Sequence, residues 1–222
     1  MVKKVLVHPI RLGQTSAYLL RGNRPILVDT GSPGSLQRLL DTLDQYRVNL
    51  RDIALIVLTH AHHDHFGNAA ELKRLTGAPI AVHKADAAAL ESGKGADVVP
   101  VTTMARVATS LMGGRLRSEG VKADILLGDV FSLNEYGIAG RILHTPGHTP
   151  GSVSILLDTG EAIVGDTIMA MNPFKGPGMP MFIENPKALK GSIQRLQEQG
   201  PNRVFMTHGG AFDGDILHKI IF

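Results

Sequence analysis

Four histidines fall within six residues in the run Thr59-His60-Ala61-His62-His63-Asp64-His65. Neutral imidazole and carboxylate are the donors that zinc and its neighbours take. His60, His62 and Asp64 are spaced by two, so an extended segment projects them to one side. His65 is out of phase with them and joins only where the chain turns into a helix. A single ion would struggle to use all four side chains, and two ions sharing the loop is the easier geometry. His63 is expected to face solvent.

Three more residues extend the pattern. Thr145-Pro146-Gly147-His148-Thr149-Pro150-Gly151-Ser152 reads as a tight loop shaped by proline and glycine, with His148 at its centre. Asp166 ends an apolar strand, where an aspartate could simply cap a turn; combined with the histidine run it is expected to be a carboxylate bridging two ions. His208 also follows a strand and precedes Gly209-Gly210. Asp29, before Thr30-Gly31, is either a turn aspartate or a group that orients a ligand histidine.

The elements that must position these residues are short strands alternating with helices. Residues 5–7, 17–20, 26–28, 53–58, 80–82, 141–143, 153–157, 162–164 and 204–206 read as strands. Leu36, Leu39, Leu40 and Leu43 form a helical stripe within 34–47, and a second helix is expected from about 64 to 75. Asn185 reads as an N-cap with Pro186 at the first helical position. Leu189, Ile193 and Leu196 are that helix's buried stripe, and Gly200-Pro201 ends it.

Two stretches resemble each other: 17–30 and 153–167 both run strand, turn, strand, Asp-Thr. A common hairpin or a structural duplication would produce this, the latter giving two β-rich halves packed face to face with helices outside. Residues 84–122, rich in glycine with a helix at about 102–112, read as an insertion or an ordinary helical connection within a single domain spanning 1–222.

Composition bounds the function. The chain has 222 residues, 43% hydrophobic and 19% charged, which suits a well-cored globular protein. Cysteine is absent, which excludes disulfides, thiolate ligands and a cysteine nucleophile. The formal charge is +3 with no long basic run; Arg115-Leu116-Arg117 is the densest mid-chain basic spot and reads as a solvated helix end or loop. A nucleic-acid partner is not expected. The start Met1-Val2-Lys3-Lys4 lacks a signal-peptide core, and no apolar stretch reaches the roughly 18 residues of a spanning helix, so a cytoplasmic protein without membrane attachment is expected.

The ligand pattern resembles the metallo-β-lactamase fold superfamily: a His-x-His-x-Asp-His run followed by a histidine, an aspartate and a histidine. Here these are His60, His62, Asp64, His65, His148, Asp166 and His208. The resemblance runs from Asp29 to His208 and implies an α/β fold, a four-layer αββα sandwich with two divalent ions at one edge, most simply zinc, with iron or manganese as alternatives. It assigns His60, His62 and His148 to one ion, Asp64, His65 and His208 to the other, and Asp166 to both. Two ions about 3.5–4 Å apart would share a water acidified to a pKa of about 7, and the resulting hydroxide would attack a carbonyl carbon. Asp64 would also relay a proton.

The superfamily is broad, and the fold does not fix the substrate. β-Lactamases with a cysteine ligand are excluded. The flavodiiron branch has Glu where this chain has His62, and the nucleic-acid-processing branches carry motifs absent here. Glyoxalase II-like thioester hydrolases match the ligand set, but their glutathione-binding helical domain has no counterpart in the 14 residues after His208. Asn68 replaces a glycine of many relatives, a change expected to touch only the helix start. Residues 168–182, rich in Met, Pro and Phe, are either an apolar wall facing the insertion or packing in the core or a dimer interface.

The expected function is hydrolysis of a small, partly apolar ester, thioester or lactone. The alternatives are a single-iron persulfide dioxygenase-like oxidoreductase, a β-lactamase-like amide hydrolase, or a binding protein that kept the fold. A homodimer is left open.

Overall fold

The computed structural model describes residues 5–101, 106, 117–170 and 176–221. Two six-stranded sheets face each other. The first has the order β1-β2-β3-β4-β5-β6, with β1 Leu6–Leu12, β2 Thr15–Arg21, β3 Pro25–Val28, β4 Leu55–Val57, β5 Ile80–His83 and β6 Ile125–Leu127. The second has the order β12-β11-β10-β9-β8-β7, with β7 Val130–Ser132, β8 Gly140–His144, β9 Val153–Leu157, β10 Glu161–Ile163, β11 Arg203–Met206 and β12 Gly210–Asp213.

Strand periodicity divides the side chains between two cores. Tyr18, Leu20, Ile26, Val28, Leu55 and Val57 face the second sheet, where Ile155, Leu157, Ile163 and Phe205 meet them. The alternate residues Leu19, Leu27, Ile56 and Leu58 pack outward against helices α1 (Leu36–Gln45) and α3 (Ala69–Thr76). On the other side Val164, Val204 and Met206 pack against Leu189, Ile193 and Leu196 of α5 (Pro186–Gln199). The layers are therefore αββα.

The two similar stretches hold matching places. β1-β2-β3 pair antiparallel and β3 pairs parallel with β4. β8-β9-β10 pair antiparallel and β10 pairs parallel with β11. In each half a helix lies between the last two strands.

Several sequence expectations change. The helix expected over 64–75 is two: the single turn α2 (His63–Phe66) and then α3. The break comes at Gly67-Asn68, where Gly67 N–H donates to Gly31 O and Asn68 N–H to Thr30 Oγ1 instead of continuing the helix. Strands β6, β7 and β12 were not expected; each is only three or four residues long, with too little alternation to stand out. β1 extends to Leu12 through Pro9, which an edge strand tolerates. A short helix α4 (Ala87–Ser92) follows β5. The helix expected at 102–112 lies, except for Arg106, outside the described residues, as do Arg115, Leu116 and residues 171–175. Among the described residues no helix is long and apolar enough to cross a membrane.

Candidate metal centre

β3, β4 and β5 run parallel, so their C-terminal ends share one edge of the first sheet. Asp29 follows β3, the histidine run follows β4, and Asp86 lies just beyond β5. From the second sheet, the loop after β8 brings His148, the end of β10 brings Asp166, and the end of β11 brings His208. All seven expected ligands come together in three overlapping groups: His60, His62 and His148; His60, His65 and Asp166; and Asp64, His65 and His208. His63 is not among these donors. It is half-buried rather than free in solvent, with Nδ1 2.8 Å from Ser118 Oγ.

In the first group, His62 Nδ1 lies 3.0 Å from His60 Nε2 and 3.0 Å from His148 Nε2, and the two Nε2 atoms are 3.2 Å apart. Zinc–nitrogen bonds of about 2.0–2.1 Å in a tetrahedron put ligand nitrogens roughly 3.3 Å apart, close to this spacing. The outer nitrogens fix the tautomers. His148 Nδ1–H donates to Phe182 O at 2.7 Å, and His62 Nε2–H donates to Asp97 O at 3.2 Å. A carbonyl oxygen can only accept, so the inward nitrogens of these two neutral rings present lone pairs to each other at 3.0 Å. Facing lone pairs repel; a cation between them turns that arrangement into ligation.

The second group is built around carboxylates. Asp166 Oδ2 lies 3.4 Å from His65 Nε2, 3.5 Å from His148 Nε2, 3.5 Å from His208 Nε2 and 3.9 Å from His60 Nε2. It reaches histidines of both groups. Asp64 Oδ2 is 3.1 Å from His208 Nε2, and its Oδ1 is 3.8 Å from His65 Nε2. His65 Nε2 and Asp166 Oδ1 are buried with no hydrogen-bond partner. Buried polar atoms are seldom left so, and a metal ion would satisfy both. The donor set, all imidazole and carboxylate, fits a divalent ion of the zinc type.

Charge is divided between the groups. Burial, and then neighbouring His65 and His148, hold the His60 imidazole well below its ordinary value. Burial also lowers His62, and burial with His62 brings His148 down to about 4. His65 goes the other way: burial opposes the cation, but Asp166, Asp29 and Asp64 carry it well above the usual histidine range. In His208 burial is likewise outweighed by Asp166 and Asp64. Burial would raise Asp166, yet His208 and His65 hold it at about 2. Burial thus favours the neutral, lone-pair form in the first group, whereas in the second the carboxylates favour the protonated imidazoles, with which an incoming cation competes.

Outer contacts lock the ligands. Asp29 Oδ2 accepts from His65 Nδ1–H at 2.9 Å, and the same carboxylate accepts from the Thr59 N–H and hydroxyl at 2.8 Å each. Asp29 therefore orients His65, and it does so from a left-handed φ of 59°. Asn68 does more than begin a helix: its Nδ2 donates to Thr30 O at 2.7 Å and Ser32 O at 2.9 Å, pinning the loop that carries Asp29. Asp86, which the sequence pattern does not single out, is buried and accepts from both ligand loops. Its place just past a strand of the parallel group was the available signal.

At the start of the Met-rich stretch, Ile168 packs in the core between the second sheet and α5, and Met169 is buried. Further on, 99–101 and 181–183 pair as a short antiparallel ladder: Ile183 N–H donates to Val99 O at 2.9 Å and Val101 N–H to Met181 O at 3.1 Å. This ladder and the adjoining Asp97 supply the carbonyls that hold His62 and His148.

An αββα sandwich that collects histidine and aspartate donors at one edge, between its two sheets, defines a metal-dependent hydrolase of the metallo-β-lactamase class. The sequence agrees: residues 10–208 match the Metallo-beta-lactamase superfamily, and the chain belongs to that family. It is 33% identical over 157 residues to the "Probable metallo-hydrolase" of Methanocaldococcus jannaschii, covering 70% of this chain and 68% of that protein. It is 29% identical over 211 residues to the beta-lactamase-like protein 2 homolog of Drosophila melanogaster, covering 91% of this chain but only 61% of the fly protein. Among solved structures, the BLEG-1 B3 metallo-beta-lactamase superposes with a TM-score of 0.73 at 24% identity over 94% of each chain. A metallo-beta-lactamase family protein of Thermus thermophilus gives a TM-score of 0.72 at 24% identity over 96% of this chain and 76% of that one.

Proposed function

We propose that this chain is a dinuclear zinc hydrolase that cleaves a small ester, thioester or lactone with an apolar acyl part. The observation that carries the proposal is Asp166 Oδ2, which lies within 3.4–3.9 Å of histidines from both donor groups. His60, His62 and His148 would hold one ion, Asp64, His65 and His208 the other, and Asp166 would be shared. When bound, such ions lower the pKa of a water and polarise the scissile carbonyl.

The residues' own contributions follow from their surroundings. Phe182 O and Asp97 O keep His148 and His62 in the ligating tautomer. Asp29 does the same for His65. Asp64 has a side chain 37% exposed, whereas Asp166 and His208 are 3% and 9% exposed. Burial opposes its ionisation, but His65 and His208 hold it far below the usual carboxylate range. Asp64 is therefore an ionised, partly exposed carboxylate available as a ligand, and its proposed part in moving a proton rests on its place beside His65 and His208, not on this depression.

The substrate class rests on Val98, Val99 and Val101, which follow Asp97 and are all about 40% exposed. Large apolar side chains left open in the segment whose Asp97 carbonyl holds His62 favour an apolar group on the substrate. Metal-stripped and zinc-reloaded protein, assayed on lactones, thioesters, β-lactams and phosphodiesters, tests the reading. Metal-dependent turnover of lactones or thioesters supports it; no turnover on any of them by fully loaded protein rejects it.

A further inference from the structure

Asp86 stands at the N-cap position of α4, yet its side chain makes no capping hydrogen bond. Both oxygens go elsewhere. Oδ2 accepts from Ala61 N–H at 2.9 Å and from the Thr149 hydroxyl at 2.8 Å. Oδ1 accepts from Gly151 N–H at 2.7 Å. Ala61 lies between His60 and His62 in the first sheet's loop, and Thr149 follows His148 in the second sheet's loop. One carboxylate, 1% exposed, thus joins the two loops whose histidines make up the first donor group.

The approach of the loops depends on this joint. A side chain at Gly151 would put its Cβ 2.4 Å from Asp86 Oδ1, so glycine is needed for the second loop to come this close. These bonds run to the first group's loops and not to Asp64, His65 or His208. That second group has a brace of its own in Asp29, bonded to His65. A residue that gives up its local role to bond distant loops is a common mark of a functional site.

We propose that Asp86 is a positioning residue that sets the separation of His148 from His60 and His62, and thereby the affinity for the ion these three hold, leaving the other ion's affinity to Asp29. The inference rests on the two-ion reading above. Loss of a carboxylate that orients ligands costs about 10–100-fold in metal affinity. An Asp86→Asn side chain keeps one acceptor oxygen but turns an NH2 group toward donors, so the bonds at one of the two oxygen positions are lost.

The test is Co2+ titration of the metal-stripped full chain, following the visible absorption bands. His148→Ala and His208→Ala assign each band to its group. In Asp86→Asn the first-group ion is expected to bind about 10–100-fold more weakly, with the second within about threefold of wild type. Thr149→Val, which removes one of the three bonds, is expected to shift the same ion by a smaller amount, and Thr149→Ser to restore it. These two variants carry the test if Asp86→Asn does not fold. Equal weakening of both ions, or of neither, with wild type taking two, overturns the role of Asp86 alone. A wild-type chain that takes up no Co2+ overturns this role and the two-ion reading together.

Discussion

Asp29 and Asp166 stand at matching places in the two halves of the fold. Each follows the second strand of an antiparallel hairpin and precedes a threonine, and that strand then pairs parallel with the next one. Their tasks differ. Asp166 turns Oδ2 toward four histidines, while Asp29 turns its carboxylate to His65 Nδ1 and Thr59. The same hairpin corner thus supplies, from one sheet, a carboxylate facing four histidines and, from the other, a brace for His65.

Asp29→Asn isolates that brace, because Asn tolerates the positive φ at this position. The amide no longer offers a charged acceptor to His65 Nδ1–H. Affinity for the second-group ion is expected to fall about 10–100-fold, as read by competition with a chelating dye. An unchanged affinity would remove Asp29 from the site.

Gly147 presents His148 with φ +137°, and a Cβ there would lie 2.4 Å from Leu189 N and Cα in the first turn of α5. Backbone cannot yield as a flexible side chain does. Gly147→Ala is expected to cost about 2 kcal/mol or more in urea unfolding and to lose the first-group ion. A stability within about 0.5 kcal/mol of wild type would show that the loop moves freely against α5.

His83 and His144 stack with ring centroids 3.7 Å apart and planes 8° from parallel. Burial, and then His144, lower His83 to about 4. The unfolded chain, with its histidine near 6.5, then binds a proton that the folded chain refuses. Stability from this residue is present above about 6.5 and is lost as pH falls toward 4. Metal-free His83→Gln is expected to lose about 2 kcal/mol less than wild type between pH 7 and 4.5, measured by urea midpoints in chelator. Parallel losses in the two proteins would exclude His83 as a cause of acid sensitivity.

Replacing Val98 and Val99 together by Ser probes the apolar rim. KM for an octanoyl thioester is expected to rise roughly tenfold, with little change for the acetyl thioester, since each methylene in an apolar site is worth about 1–3 kcal/mol. Equal effects on both chain lengths would place the acyl group elsewhere.

The sequence disclosed the donor cluster far better than its supports. Histidines at two-residue spacing after a strand stand out as candidate metal ligands, and His148, Asp166 and His208 repeat that strand-end placement. Asp86 carried no such mark: a single aspartate in Lys84-Ala85-Asp86 looks like a cap, and its partners are 25 and 63–65 residues away. The long strands and α5 were legible from periodicity and caps. α2 and α3 read as one helix because their break comes from hydrogen bonds to Gly31 and Thr30, contacts that only the folded chain creates. Likewise the carbonyls of Asp97 and Phe182 are backbone groups, and no residue type announces them.

The central claim, two ions sharing Asp166, is tested most directly by counting zinc in the reloaded chain after removal of loosely bound metal. Two zinc ions per chain are expected, falling to one in His148→Ala and to one in His208→Ala. A wild-type chain that holds a single ion, or none, would contradict the dinuclear centre.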